Sequence, residues 1–258
     1  MSDLLLATEH LHKSFGGVVA TDGVSLGICR GETHALIGPN GAGKTTLVAQ
    51  LTGELAPDAG RILFEGRDIT RLPTAQRARL GLARSFQITS IFQSFSAEGN
   101  VALAVQAREP HCFRFWRRAE RMARLREPAR KLLADVGLGG LGHRQAARMS
   151  HGQHRQLEIG IALATAPVVL LLDEPMAGLG AEETRAMSAL LASLKGRCTI
   201  LLIEHDMDVV FSLADRISVL VGGRIVASGG ADDIRRHPDV RTAYLGEENG
   251  AILRDPSS

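Results

Sequence analysis

The chain has 258 residues, 45% of them hydrophobic, enough for one large α/β domain or two modest ones around a real core. Its formal net charge of +2 gives no general pull toward nucleic acid or an anionic membrane, so any partner must be read from local features. Cys29, Cys112 and Cys198 are odd in number, widely spaced and without CxxC or His pairing, which argues against a disulfide framework or a zinc site and fits a reducing compartment.

The opening MSDLLLATEH has no basic region followed by a sustained apolar stretch, so it is a poor signal peptide and a cytoplasmic protein is expected. No apolar run approaches the roughly 18 to 20 residues needed to span a bilayer, so work at a membrane would go through partners.

From 4 to 36, short apolar stretches are broken by Gly16-Gly17, Gly23, Gly27 and Arg30-Gly31, the pattern of a strand-rich region with tight turns. Thr33 to Ile37 reads as a strand feeding a glycine loop, and Lys44 to Leu55 as the helix after it. Beyond Pro57-Asp58-Ala59-Gly60 a strand pair is expected around Arg61 to Ile69. From about 92 to 166, Ala-, Leu- and Arg-rich segments with helical spacing predict an inserted helical subdomain. Val168 to Leu172 and Thr199 to Ile203 are continuous apolar runs ending in Asp173-Glu174-Pro175 and Glu204-His205-Asp206, each read as a strand buried on both faces. A helix from about Glu182 to Leu194 between them makes a βαβ unit, hence a parallel sheet with a right-handed crossover. Ile217 to Val221 and Ile225 to Ala227, separated by Gly222-Gly223, read as a hairpin or late strands, and 247–258 as a loosely ordered tail.

Gly38-Pro39-Asn40-Gly41-Ala42-Gly43-Lys44-Thr45 fits G-x-x-x-x-G-K-[ST] in full. Small residues let backbone N–H groups turn inward onto phosphate oxygens, with a helix N-terminus behind them. Lys44 adds a point charge for the β and γ phosphates, Thr45 a hydroxyl for Mg²⁺, and Thr46 a second hydroxyl near the α phosphate. The fold class that follows is α/β, a mostly parallel P-loop NTPase-type sheet with an N-terminal antiparallel β region and the helical insertion.

Asp173 stands where a buried strand meets the surface, the edge at which open parallel sheets place ligands, and can hold Mg²⁺. Glu174 beside it can orient or deprotonate a water that attacks the γ phosphate. Taken alone, an Asp-Glu pair after a strand is equally a polar turn, and it is the glycine loop that favours chemistry. His205 ends a strand of the same kind and can reach the γ phosphate or bridge it to Glu174. The other histidines, among them His10, His12, His34 and His154, are read as structural or solvated.

Met149-Ser150-His151-Gly152-Gln153, opening a predicted helix, resembles the LSGGQ signature of ABC-type ATPases. Together with the glycine loop, Ser85-Phe86-Gln87, Asp173-Glu174 and His205, it makes nearly the whole chain, roughly residues 4–246, resemble an ABC ATP-binding subunit. The resemblance implies that Phe15 stacks on adenine, although a Phe here serves a core equally well, and that Gln87 contacts Mg²⁺ or the attacking water and senses a membrane partner. It also implies that Ser150 and Gly152, supported by Gln153, clamp the γ phosphate of a second ATP-binding subunit facing head to tail. Met149 and His151 depart from the commoner Leu and Gly of the signature, and Gly180 stands where the loop after Asp-Glu usually carries aspartate, which puts communication across the dimer in question.

Lys13-Ser14-Phe15-Gly16-Gly17, the run from Arg79 to Gln87, Leu157-Glu158-Ile159, Ile203-Glu204-His205-Asp206-Met207 and Ala243-Tyr244-Leu245-Gly246 are most similar to ATP-binding subunits of branched-chain amino-acid importers. Lipopolysaccharide-export and urea-type subunits share several of these phrases. The implied protein hydrolyses ATP at the inner face of the cell membrane, drives separate permease subunits and works indirectly with a substrate-binding protein. A soluble ABC ATPase of translation or DNA repair would carry two cassettes or a long coiled-coil insertion, and neither is visible. A regulatory ATP sensor stays open because of Gly180. The Arg-rich stretch 114–130 is interspersed with Glu120 and Glu127 and fits a solvated helix face or contact with a membrane partner or lipid better than nucleic acid, for which no direct binding is expected.

Overall fold

The computed structural model describes residues 4–84, 91–108 and 118–245, so Gln87, Cys112 and the tail 247–258 lie outside the described residues. In chain order the elements are β1 (Leu4–Phe15), β2 (Val18–Cys29), β3 (Thr33–Ile37), α1 (Lys44–Thr52), β4 (Ala59–Phe64), β5 (Arg67–Asp68), α2 (Thr74–Arg79) and β6 (Leu82–Arg84). They continue with α3 (Ala97–Ala107), α4 (Arg118–Asp135), α5 (His151–Ala164), β7 (Val169–Asp173), α6 (Ala181–Leu194), β8 (Thr199–Ile203) and α7 (Met207–Leu213). The last are β9 (Arg216–Val221), β10 (Arg224–Gly229), α8 (Ala231–Arg236) and α9 (Pro238–Leu245).

Two sheets result. An antiparallel one runs in the order β2-β1-β4-β5, and a larger one in the order β10-β9-β3-β8-β7-β6. In the larger sheet every pairing from β9 to β6 is parallel, and β10 alone is antiparallel to its neighbour. Each residue of β3, β7 and β8 is buried, which is why these three strands are unbroken apolar runs and do not alternate with polar residues.

Alternation along those strands splits the core by face. Leu170, Leu172, Ile200 and Leu202 pack with residues of α3, α4, α5 and α6, while Leu36, Leu171, Leu201 and Ile203 pack with α1 and the antiparallel sheet. Ala35, Ile37, Ile217 and Val219 form a third cluster with α7, α8 and α9. The parallel core and antiparallel N-terminal region are as expected.

Helix α1 stops at Thr52, three residues short of the expected Leu55, because Gly53 takes the left-handed conformation (φ 80°) that closes a helix C-terminus. The last carbonyls are collected by Arg77 from α2, a helix the sequence pattern did not announce. Its fully buried guanidinium donates to Gln50 O (2.6 Å), Leu51 O (2.7 Å), Leu72 O (2.9 Å) and Thr70 O (2.9 Å). Burial pushes the arginine pKa down, and a cation at the negative end of α1 is stabilised by the helix dipole. Arg77→Met strips donors from four carbonyls at once. It is expected to lower stability by about 3 kcal/mol, read as a shifted urea midpoint, and Arg77→Lys should recover only part of this because an ammonium cannot span the fork.

Candidate nucleotide site

The loop after β3 is shaped by close main-chain packing. Gly38, Gly41 and Gly43 have φ of 155°, 76° and 103°. A Cβ on Gly38 would lie 2.0 Å from Leu220 O, and one on Gly43 would lie 2.1 Å from Ala20 O, so β9 and β2 press on the loop from two sides. Gly223 N–H donates to Ala42 O (2.9 Å) and Ala42 N–H to Pro39 O (3.2 Å), which fixes the curl between them. Helix α1 begins directly behind, and no described side chain caps its first turn, leaving its N–H groups and positive dipole end to serve an anion. Lys44 folds back so that Nζ donates to Gly38 O (2.5 Å) and Pro39 O (3.0 Å), while Asn40 and Thr45 are exposed and Thr46 is half-buried.

Register carries the other groups to the same edge. Ile203 of β8 pairs with Leu36 of β3 on one side and Asp173 of β7 on the other, so the segments that follow all leave the sheet at its carboxyl end. Asp173 is buried, and its Oδ2 accepts from Arg84 Nη2 at 2.9 Å, while Arg84 Nη1 donates to Glu54 Oε2 at 2.8 Å. Glu174 has a left-handed backbone (φ 48°), unusual for a residue with a side chain, and its N–H donates to Ile203 O at 2.9 Å. Glu204 is almost fully buried; burial pushes its carboxyl pKa up, against the pull of the N–H groups of Met176 (2.9 Å) and His205 (3.1 Å) that it accepts. The His205 ring is 67% exposed, with Nδ1 3.8 Å from Glu204 Oε2.

Phe15 ends β1, pairs with Val18 across the Gly16-Gly17 turn and is 52% exposed, with Lys13 Nζ 5.6 Å from its ring centre. Ala20, two residues past Val18, is the residue that presses on Gly43, so an aromatic face stands exposed beside the loop. Ser150 is the N-cap of α5: Gln153 N–H donates to Ser150 Oγ (3.2 Å), and Ser150 N–H donates to Gln153 Oε1 (3.0 Å), a complete capping box. Gly152 lies in the first turn behind them. Helix α5 packs on α3, α4 and α6, whereas α1 packs on β2, β6 and α2. The fold therefore brings the glycine loop, Asp173, Glu174, His205 and Phe15 to one region and sets Ser150, Gly152 and Gln153 on the helical side.

Residues 21–177 match the ABC transporter family, and 224–249 match the family described as branched-chain amino acid ATP-binding cassette transporter. This chain belongs to the ABC transporter family. Among curated relatives, the high-affinity branched-chain amino acid transport ATP-binding protein LivG of Salmonella typhimurium is 41% identical over 257 residues, covering 96% of this chain and 100% of LivG. BraF of Pseudomonas aeruginosa, which carries the same description, is 40% identical over 256 residues with the same coverage. An ATP-binding cassette of an ABC transporter solved in its ADP conformation superposes with a TM-score of 0.82 at 32% identity, over 95% of this chain and 99% of that one. A nucleotide-free cassette gives a TM-score of 0.77 at 30% identity, over 97% and 98%.

As an ABC cassette the chain is a nucleotide-binding ATPase, and three of its side chains at the site carried no role in the sequence reading. Arg84, Glu204 and Glu183 find their partners 89, 28 and 33 residues away, at Asp173, Met176 and Ser150. The available signal was a charged residue at the end of an apolar strand for the first two, and a carboxylate in the first turn of a helix for Glu183. In the cassette's loop, glycine is required unequally. Gly38→Ala and Gly43→Ala each force a methyl into a carbonyl oxygen and are expected to cost about 3 kcal/mol or more, whereas Gly41→Ala, with open space around it, carries only backbone strain of about 1 kcal/mol. Thermal melts of the three variants test that order.

Proposed function

We propose that this cassette is the ATP-hydrolysing subunit of an importer of branched-chain or related amino acids, delivering its stroke to separate permease subunits at the inner face of the cell membrane. The observation that carries the substrate class is full-length identity of 40–41% to relatives named for branched-chain amino acid transport, joined by the match over 224–249. No described helix is long and apolar enough to cross a membrane.

The site supports this division of labour. Loop N–H groups and the N-terminus of α1 hold the phosphates, and Lys44 trades loop carbonyls for β and γ oxygens. Phe15 offers its exposed face to adenine. Glu174 orients the attacking water, with His205 beside it at the same edge. The residues present fit Mg²⁺: Asp173 offers a carboxylate and Thr45 an exposed hydroxyl, oxygen donors that suit a small hard cation shared with phosphates. Asp173 and Thr45, with help from Gln87, would hold the ion, which would supply neutralising charge to the phosphates. Ser150, Gly152 and Gln153 complete the site from a second ATP-binding subunit, so closure follows ATP binding and opening follows loss of the γ phosphate.

Glu174→Gln is expected to lower turnover by about a hundredfold or more with nucleotide affinity kept, and to accumulate an ATP-stabilised dimer. Turnover at the wild-type rate with no added dimer would remove Glu174 from the chemistry. Co-purification of the tagged chain from membranes should return permease subunits; ribosomes or DNA without a permease would overturn the transport reading.

A further inference from the structure

The N-terminus of α5 faces an anion from its own chain. Glu183, in the first turn of α6, lies with Oε1 3.4 Å from Ser150 Oγ, and its Oε2 accepts Gly180 N–H at 3.4 Å. Gly152 makes the approach possible, since a Cβ built there would stand 2.5 Å from Glu183 Oε1. His151 holds the same corner together from the other side, with Nε2 3.3 Å from Ala177 O and with Gly178 against its ring. Two of the three departures from the usual pattern thus meet in one place: His151 ties the signature to the loop after Glu174, and Gly180, with no side chain, presents its N–H to Glu183.

The donor under that carboxylate, the Ser150 hydroxyl at the N-terminus of a 14-residue helix, is one the sandwich reading assigns to a γ phosphate. A carboxylate and a phosphate at shared donors repel, and in a partly desolvated interface the repulsion is stronger than in water. We propose that Glu183 is a resident anion of the signature, competing with the γ phosphate of the second subunit and setting the affinity of the ATP-bound dimer. Closure displaces it, and the cassette opens more readily after hydrolysis because Glu183 returns. This rests on the proposed sandwich of two subunits.

The substitution Glu183→Gln keeps the shape and the acceptor for Gly180 N–H but removes the charge, so it separates competition from mere helix capping. The full chain carrying Glu174→Gln is compared with the double variant Glu174→Gln/Glu183→Gln by sedimentation with ATP and Mg²⁺. Relief of about fivefold at each of two equal sites should tighten the dimer by about twenty-five-fold. Fluorescent ADP binding to the monomer should stay within about twofold, because the glycine loop is untouched. Glu183→Ala, which also loses the cap, should move the dimer in the same direction. Equal or weaker dimerisation of the double variant, relative to Glu174→Gln alone, overturns the competition while leaving the sandwich standing. No ATP-dependent dimer in any variant overturns the sandwich and the competition with it.

Discussion

Two carbonyl oxygens, Leu220 O and Ala20 O, stand about where Cβ atoms of Gly38 and Gly43 would be, and the remainder of the structure is organised around that clamp. Leu220 belongs to the parallel sheet and Ala20 to the antiparallel one, so both sheets converge on a single loop. Because the contact is main chain against main chain, the loop is held without spending a side chain. Gly223 N–H to Ala42 O closes the frame from the β9–β10 turn.

A loop held this rigidly is useful only if the helix behind it and the charges beside it are equally fixed. Helix α1 is tied at its far end by Arg77, whose guanidinium takes the Gln50 and Leu51 carbonyls, and just past it by Glu54, which Arg84 joins to Asp173. Arg84 thereby neutralises a carboxylate at the end of an all-aliphatic strand, where an unpaired charge would be costly. It is also the last residue of β6 before the segment that carries Gln87, so the ion pair connects that segment's base to the end of α1.

What was legible in the sequence was whatever depends on neighbours along the chain. Strands β3, β7 and β8 stood out because burial on both faces demands unbroken apolar runs, and the glycine loop because its backbone tolerates little else. Helix α1 ends short of Leu55 because Gly53 takes the left-handed conformation, a backbone choice that apolar spacing does not register. Strand β6 was missed because three residues carry no period, and its place is set by pairing with β7 some 87 residues later: Leu82 opposite Val169 and Arg84 opposite Leu171. Ser150 and Gln153 carry a local signal as a capping box, but the approach of Glu183 to them depends on how α5 packs against α6. Charge partners across elements have no signature in one sequence.

The corner between β7 and α6 shows how the fold keeps two adjacent carboxylates from sharing a target. In an extended strand Asp173 and Glu174 would point to opposite faces and the chain would run on. Instead Glu174 turns into the left-handed region, at a cost on the order of 1 kcal/mol or more that persists only where surrounding contacts over-determine it. Those contacts are identifiable: Ile203 O accepts the N–H of Glu174, and buried Glu204 accepts that of Met176 two residues on. Both anchors lie at the end of β8, immediately before His205, so the turn that aims Glu174 and the segment that presents His205 are one hydrogen-bonded unit. The burial cost of Glu204 is thus the means by which strain at Glu174 is held in place, and a change at either end of the unit must move the other.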